Sequence, residues 1–272
     1  MSDKNRDGKR SAREALQEQR AKEQNKTKRK RTGIVAGAVL GVLVVGALIG
    51  VVVSDNDSGG GGSDSAGEVS APKGAIGNDK LVIPVGASDA PSALTIYEDF
   101  RCPACDSFEK TFTPTIQGLE NSGQLRTEYH LVTLIDGNLG GSGSLTAANA
   151  AGCAQDAGDF RAYHDVLYAN QPEEQKDTFA DKNTLLRLAG QVKGLKTPSF
   201  TACVNNGTHN SWVKKSDDAF NSSGFTSTPT VLLNGKNIFG SQSAPLTPAS
   251  LQQMVARANK GKQPGKVSPT PS

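Results

Sequence analysis

Residues 33–53 are an unbroken apolar run of 21 residues, built only from Gly, Ile, Val, Ala and Leu, and they divide the chain in two. The run has no polar face, so it is not the amphipathic stripe of a core helix. Its length matches the roughly 20 residues that span a bilayer. A secretory signal would carry an apolar stretch of only about 7–15 residues and a small-residue cleavage site. Val51-Val52-Val53-Ser54-Asp55 is a poor one. One uncleaved transmembrane helix is expected here.

Beyond the run the apolar positions become periodic. Leu81-Val82-Ile83 and residues 93–97 read as short strands, and residues 125–134 alternate as a third, closing at Asp136-Gly137. A helix is expected from about residue 103 to Asn121, where Asn121-Ser122-Gly123 stops it. Helical spacing recurs over 146–157, 160–169, 183–191, 199–205 and 213–221. Residues 230–233 and 237–239 flank Asn234-Gly235, a strong hairpin signal. Thr247-Pro248 then caps a last helix over 249–259. The order is β–β–α–β, a helical block, then β–β–α.

Composition assigns the remaining pieces. Residues 54–79 are rich in Gly, Ser, Asp and Ala, including the pure glycine run 59–62, and read as a flexible linker. Residues 260–272 are mostly Lys, Gly, Pro and Ser and read as a disordered tail. The folded domain is therefore expected at 80–259, a size that supports one core.

Charge gives orientation. Residues 1–32 hold 12 Lys and Arg against five Asp and Glu, ending in Lys28-Arg29-Lys30-Arg31. The positive-inside rule places this segment in the cytoplasm and the domain outside it. The remaining residues hold 18 basic and 22 acidic side chains, so the net +3 of the chain is a topology signal and not a nucleic-acid footprint. The expected location is the cell membrane, single-pass, with the lipid bilayer as one partner. In such a compartment disulfides persist, and four cysteines allow two pairs.

Two of those cysteines carry the chemistry. Cys102-Pro103-Ala104-Cys105 follows a strand-like run and opens a helix-like one. Thiols at i and i+3 on a first helical turn share one face. Free N–H groups and the positive end of the helix dipole favour the thiolate on Cys102, and a thiolate attacks disulfides. Pro103 fits, because a first-turn position needs no N–H donor. A haem site would need His after the second cysteine, where Asp106 stands. A zinc site would need two further ligands at close spacing. No metal and no organic cofactor is expected. Cys153 and Cys203 have no neighbour at redox spacing and are expected to form a structural disulfide within the helical block; a relay passing oxidising equivalents to Cys102 is the rival.

Thr226-Ser227-Thr228-Pro229-Thr230 precedes the penultimate strand, a place where a cis bond can be kept. Together, Tyr97-Glu98-Asp99-Phe100-Arg101-Cys102-Pro103-Ala104-Cys105 and residues 224–236 resemble the DsbA-like thiol–disulfide oxidoreductases of the thioredoxin superfamily, in their membrane-anchored bacterial form. The resemblance covers about 81–259. It implies an α/β thioredoxin fold with an inserted helical subdomain at about 140–223, preceded by one transmembrane helix. It implies Cys102 as exposed nucleophile, Cys105 as buried resolving thiol, a cis Pro229, and Thr228 presenting backbone to a substrate chain. The separation of 127 positions between Cys102 and Pro229 leaves room for the insertion. The chain departs from the family in two ways. Pro-Ala replaces the Pro-His of the best-known oxidases, which removes one thiolate stabiliser that Arg101 could restore in part. Ile96 stands where many relatives keep a buried carboxylate, while Glu98 shares its strand parity.

The expected activity is introduction of disulfides into secreted or membrane proteins with free thiols, with a membrane redox partner restoring the oxidised enzyme. The alternatives are a disulfide reductase or isomerase, and a redox-inert binding or chaperone module on the same fold.

Overall fold

The computed structural model describes residues 69–77, 79–241 and 245–267. The expected cytoplasmic segment 1–32, the anchor 33–53, the first part of the linker and the last residues of the tail lie outside them. Among the described residues no helix is long and apolar enough to cross a membrane.

A five-stranded mixed sheet runs in the order β1-β3-β2-β4-β5. Its strands are β1 (Ile83–Gly86), β2 (Ala93–Glu98), β3 (Arg126–Leu131), β4 (Thr230–Leu233) and β5 (Lys236–Asn237). β2 and β3 are parallel, in register from Ala93↔Arg126 to Glu98↔Leu131. The other pairings are antiparallel. In β2, Leu94, Ile96 and Glu98 are buried and alternate with half-buried Ala93, Thr95 and Tyr97, the period-2 pattern of a central strand.

The crossover between β2 and β3 is α1 (Pro103–Asn121). Its buried positions are Cys105, Phe108, Glu109, Phe112, Ile116, Leu119 and Glu120, an i, i+3, i+4, i+7 stripe against the sheet. Each fully buried Phe or Leu in such a stripe contributes about 1.5–3 kcal/mol. Helix α8 (Pro248–Ala258) begins at a capping box in which the Thr247 side chain accepts from Ser250 N–H and the Ser250 hydroxyl accepts from Thr247 N–H.

Between β3 and β4 lies the helical insertion: α2 (Leu134–Leu139), α3 (Gly143–Ala157), α4 (Phe160–Ala169), α5 (Lys182–Ala189), α6 (Pro198–Asn206) and α7 (Asn210–Ser222). The third strand therefore stops at Leu131 rather than running to Leu134, and a short helix stands where a turn at Asp136-Gly137 was expected. Asp99 causes this, because its carboxylate accepts the Ile135 N–H at 2.8 Å and draws the chain into a helix.

Two further boundaries move. Residues 69–77 are not a free linker: Pro72 is buried, Ile76 bridges to Val82, and Lys73 N–H donates to Asp156 Oδ1 at 2.7 Å. At the other end, Gly265 N–H donates to Gly123 O at 2.8 Å and Lys266 N–H to Asp89 Oδ1 at 2.8 Å, so 260–267 does not leave the domain as a disordered tail. Gly123 permits the contact. Its φ is +69°, and a Cβ there would lie 2.2 Å from the Gly265 carbonyl oxygen.

Candidate active site

Cys102 is the N-cap of α1, with extended backbone, and Pro103 follows at the first helical position. The Cys102 carbonyl accepts the N–H groups of Cys105 and Asp106 at 3.1 and 3.2 Å, which starts the helix. Cys102 and Cys105 are free thiols and both are buried, so Cys102 is not the exposed nucleophile that was expected; it keeps 6% exposure and Cys105 none. A partner sulfur can reach only the first. Thr228–Pro229 is a cis peptide bond, and as a thiol Cys102 Sγ donates to Thr228 O at 3.4 Å. The cysteine pair and the Thr228-Pro229 loop, 126 residues apart, meet at one spot.

Electrostatics separate the two thiols. The hydrogen bond from the Cys105 side chain pulls the Cys102 pKa down to about 6; burial opposes this, while Thr228 and the N–H groups of Cys105 and Ala104 assist. Cys105 moves the other way, well above its ordinary value, because it is buried and faces the Cys102 sulfur and Glu98. At neutral pH the reduced pair holds a thiolate on Cys102 and a proton on Cys105.

Arg101 does not serve the thiolate as expected. It is 2% exposed, and its Nη1 contacts Asp136 Oδ1 at 2.6 Å, Asp177 Oδ1 at 3.1 Å and Gly140 O at 2.9 Å, while Nη2 donates to Glu174 O at 3.0 Å. Asp136 also accepts from Ser144 and Leu145 N–H, and Asp177 from Ser142 and Gly143 N–H. The residue beside the cysteine thus pins the start of α3 to the loop between β2 and α1, by charges that satisfy the first turn of that helix.

Behind Cys105 is a buried ionisable cluster that local sequence did not reveal. Glu98, Glu109 and His164 place one ligand-type atom each within 4.8 Å of the others, all inside the core. His164 Nε2 is 2.8 Å from Glu98 Oε1, and Thr113 Oγ1 donates to Glu109 Oε2 at 2.6 Å. Glu98 Oε2 and Glu109 Oε1 have no hydrogen-bond partner. Burial, with the Glu98 charge adding to it and His164 opposing, lifts Glu109 to about 8. Burial also lifts Asp99 to about 7, against the N–H groups of Ile135 and Arg101 that it accepts. The strand parity of Glu98 was the one signal read; the i+4 spacing of Glu109 from Cys105 was available but unread, and nothing local marked His164.

The expected second pair is brought together elsewhere. Cys153 on α3 and Cys203 on α6 form a disulfide with Cα atoms 5.9 Å apart. His209 lies beside it, a second group with metal-ligand atom types within 4.8 Å, but there both sulfurs are consumed in the bond.

Comparison with known proteins agrees with this geometry. The family described as Thioredoxin matches residues 79–257. Disulfide bond formation protein D of Bacillus subtilis is 26% identical over 157 residues, spanning 57% of this chain and 68% of that protein. Among solved structures, DsbA from Mycobacterium tuberculosis in its reduced form superimposes with a TM-score of 0.57 at 28% identity, over 68% of this chain and 95% of that one. MdbA, a thiol-disulfide oxidoreductase from Actinomyces oris, gives 0.58 at 25% identity, over 71% and 94%.

Proposed function

Because the chain belongs to the thioredoxin family, we propose that its oxidoreductase activity is the introduction of disulfides into secreted or membrane proteins, by a domain held outside the cytoplasm on a membrane anchor at residues 33–53. The observation that carries this reading is the split between the two thiols, a reachable Cys102 held near pKa 6 and a sealed Cys105 held well above 9. A low pKa stabilises the reduced enzyme, and so makes its disulfide a better oxidant.

In the proposed cycle a substrate thiolate attacks Cys102 Sγ of the Cys102–Cys105 disulfide. The S–S bond breaks, Cys105 departs as a thiolate and takes up a proton, and a mixed disulfide joins the substrate to Cys102. A second substrate thiolate then attacks the substrate sulfur of that bond, and Cys102 leaves as a stable thiolate. The substrate loses two electrons, and these remain on the reduced pair until a membrane redox partner removes them. Thr228, with its carbonyl beside Cys102 Sγ, offers main chain to an extended substrate segment. Pro103 and Ala104 are exposed beside it at the start of α1. The apolar run at 33–53 and the basic residues before it support the anchored topology.

The test is to mix the oxidised protein with a reduced, unfolded protein carrying two cysteines. One substrate disulfide per enzyme disulfide is expected, and none from Cys102→Ala. Oxidation by the variant at the wild-type rate, or none by the wild type, would overturn the reading.

A further inference from the structure

Cys102 is held from two sides, and only one of them is the Thr228-Pro229 loop. The other is the segment that follows α4 in the helical insertion. Gln171 stands there, half-buried, its own N–H bonded to Tyr168 O at 3.2 Å. Its Nε2 donates to Phe100 O and to Cys102 O, both at 3.0 Å. Those are the carbonyls of the loop that feeds α1, either side of Arg101, whose guanidinium reaches Glu174 O in the same insertion segment.

We propose that Gln171 is a positioning residue for the reaction, acting through the Cys102 main chain: its carboxamide fixes the peptide that carries the nucleophile and withdraws negative potential from the Cys102 carbonyl. This rests on the reading of Cys102 as the reactive thiol. A carbonyl oxygen carries partial negative charge, and close to a thiolate it disfavours ionisation. The Cys102 carbonyl already accepts two helix N–H groups. A third donor turned on it from outside the helix lowers its field further, and adds a polar contact in a partly buried site where such fields are weakly screened. The amide also fixes the direction of the Cys102 Cα–Cβ bond, because Phe100 O and Cys102 O cannot both stay on one NH2 group if the loop rotates. The insertion thereby reaches the active site through one side chain.

The other charged or titratable groups around Cys102 are Arg101, whose guanidinium is held by Asp136 and Asp177, Asp99 after β2, and Cys105 and Asp106 on α1. None of them is altered by substitution at position 171, so a change in Cys102 titration reports on the amide. Gln171→Met keeps the length and removes the donor. Gln171→Glu keeps the shape and turns a donor into an acceptor bearing charge.

The experiment follows thiolate absorbance of the reduced full-length protein against pH, with the reduction potential measured alongside. The expected result is a rise in the Cys102 pKa of roughly half a unit to one unit in Gln171→Met and more in Gln171→Glu, with a correspondingly lower, less oxidising potential. A purely structural glutamine would lower the melting temperature and leave both readouts at their wild-type values, and that outcome in a folded variant overturns the proposal. If the glutamate variant does not fold, the methionine variant alone decides on the same criterion. Failure of the oxidase reading would show instead as absent turnover by the wild type, which these titrations do not depend on.

Discussion

His164 Nε2 and Glu98 Oε1 sit 2.8 Å apart in the core, on the same side of the sheet as Cys105 and next to the buried Glu109. The imidazole is ringed by Phe100, Tyr129, Phe160 and Tyr168, with centroids 4.9 to 5.7 Å away. Burial alone would strip its proton, but Glu98, Asp165 and Glu109 together hold its pKa well above the ordinary histidine value. A protonated His164 and a protonated Glu109 therefore sit side by side inside an aromatic shell.

That arrangement sets a pH dependence of stability. Both His164 and Glu109 have folded-state pKa values raised above their unfolded ones, Glu109 to about 8. Their contribution is fully present below the unfolded values, near 4.5 for Glu109 and 6.5 for His164, and is lost as pH rises through the folded ones. Denaturant midpoints of the oxidised protein, in which the cysteine pair does not titrate, are expected to fall between pH 6 and pH 9. Glu109→Gln should flatten that fall. A midpoint that climbs over this window would contradict the assignment.

Cys105→Ala is expected to accumulate mixed disulfides with reduced protein substrates, because the resolving thiol is gone while Cys102 stays reachable. Cys102→Ala should capture none. Non-reducing gels of the two variants after identical exposure make the comparison, and equal capture would reverse the roles.

Removing Arg101 leaves Asp136 and Asp177 beside each other at the start of α3 without their cation. Arg101→Met should lower stability by about 3 kcal/mol, since breaking a buried pair strands the remaining charge. Chemical denaturation measures it; a loss below about 1 kcal/mol would mean that helix N–H groups alone satisfy both carboxylates.

The Cys153–Cys203 bond closes a loop of 50 residues. On the chain-entropy argument it stabilises the fold by roughly 4 kcal/mol. Replacing both cysteines with Ala should lower the melting temperature and leave turnover by folded protein nearly unchanged. Lost turnover at unchanged stability would favour the relay.

What was legible in the sequence was what is local. The cysteine motif, the alternation in β2 and the spacing along α1 each arise from neighbours within a few residues, and their elements sit within a residue or two of where the pattern placed them. Helix α2 was not legible, because Leu134–Leu139 has a single buried residue, Ile135, and owes its form to the Asp99 carboxylate 36 positions away. Residues 69–77 and 260–267 were read as linker and tail from composition, yet both are held through main-chain N–H groups that donate to Asp156, Asp89 and Gly123, which composition does not record. Arg101 was expected to restore part of the lost thiolate stabilisation; its partners Asp136 and Asp177 lie 35 and 76 residues further on, beyond any local pattern. Gln171 and His164 were silent for the same reason.

The most direct measurement is the ultraviolet titration of the thiolate in the reduced protein, with Cys102→Ala as the control that removes it. The account predicts a single transition near pH 6, absent from the control. A transition at or above the free-cysteine value of about 8.5, or one that survives in Cys102→Ala, would contradict Cys102 as the activated thiol on which the proposed function rests.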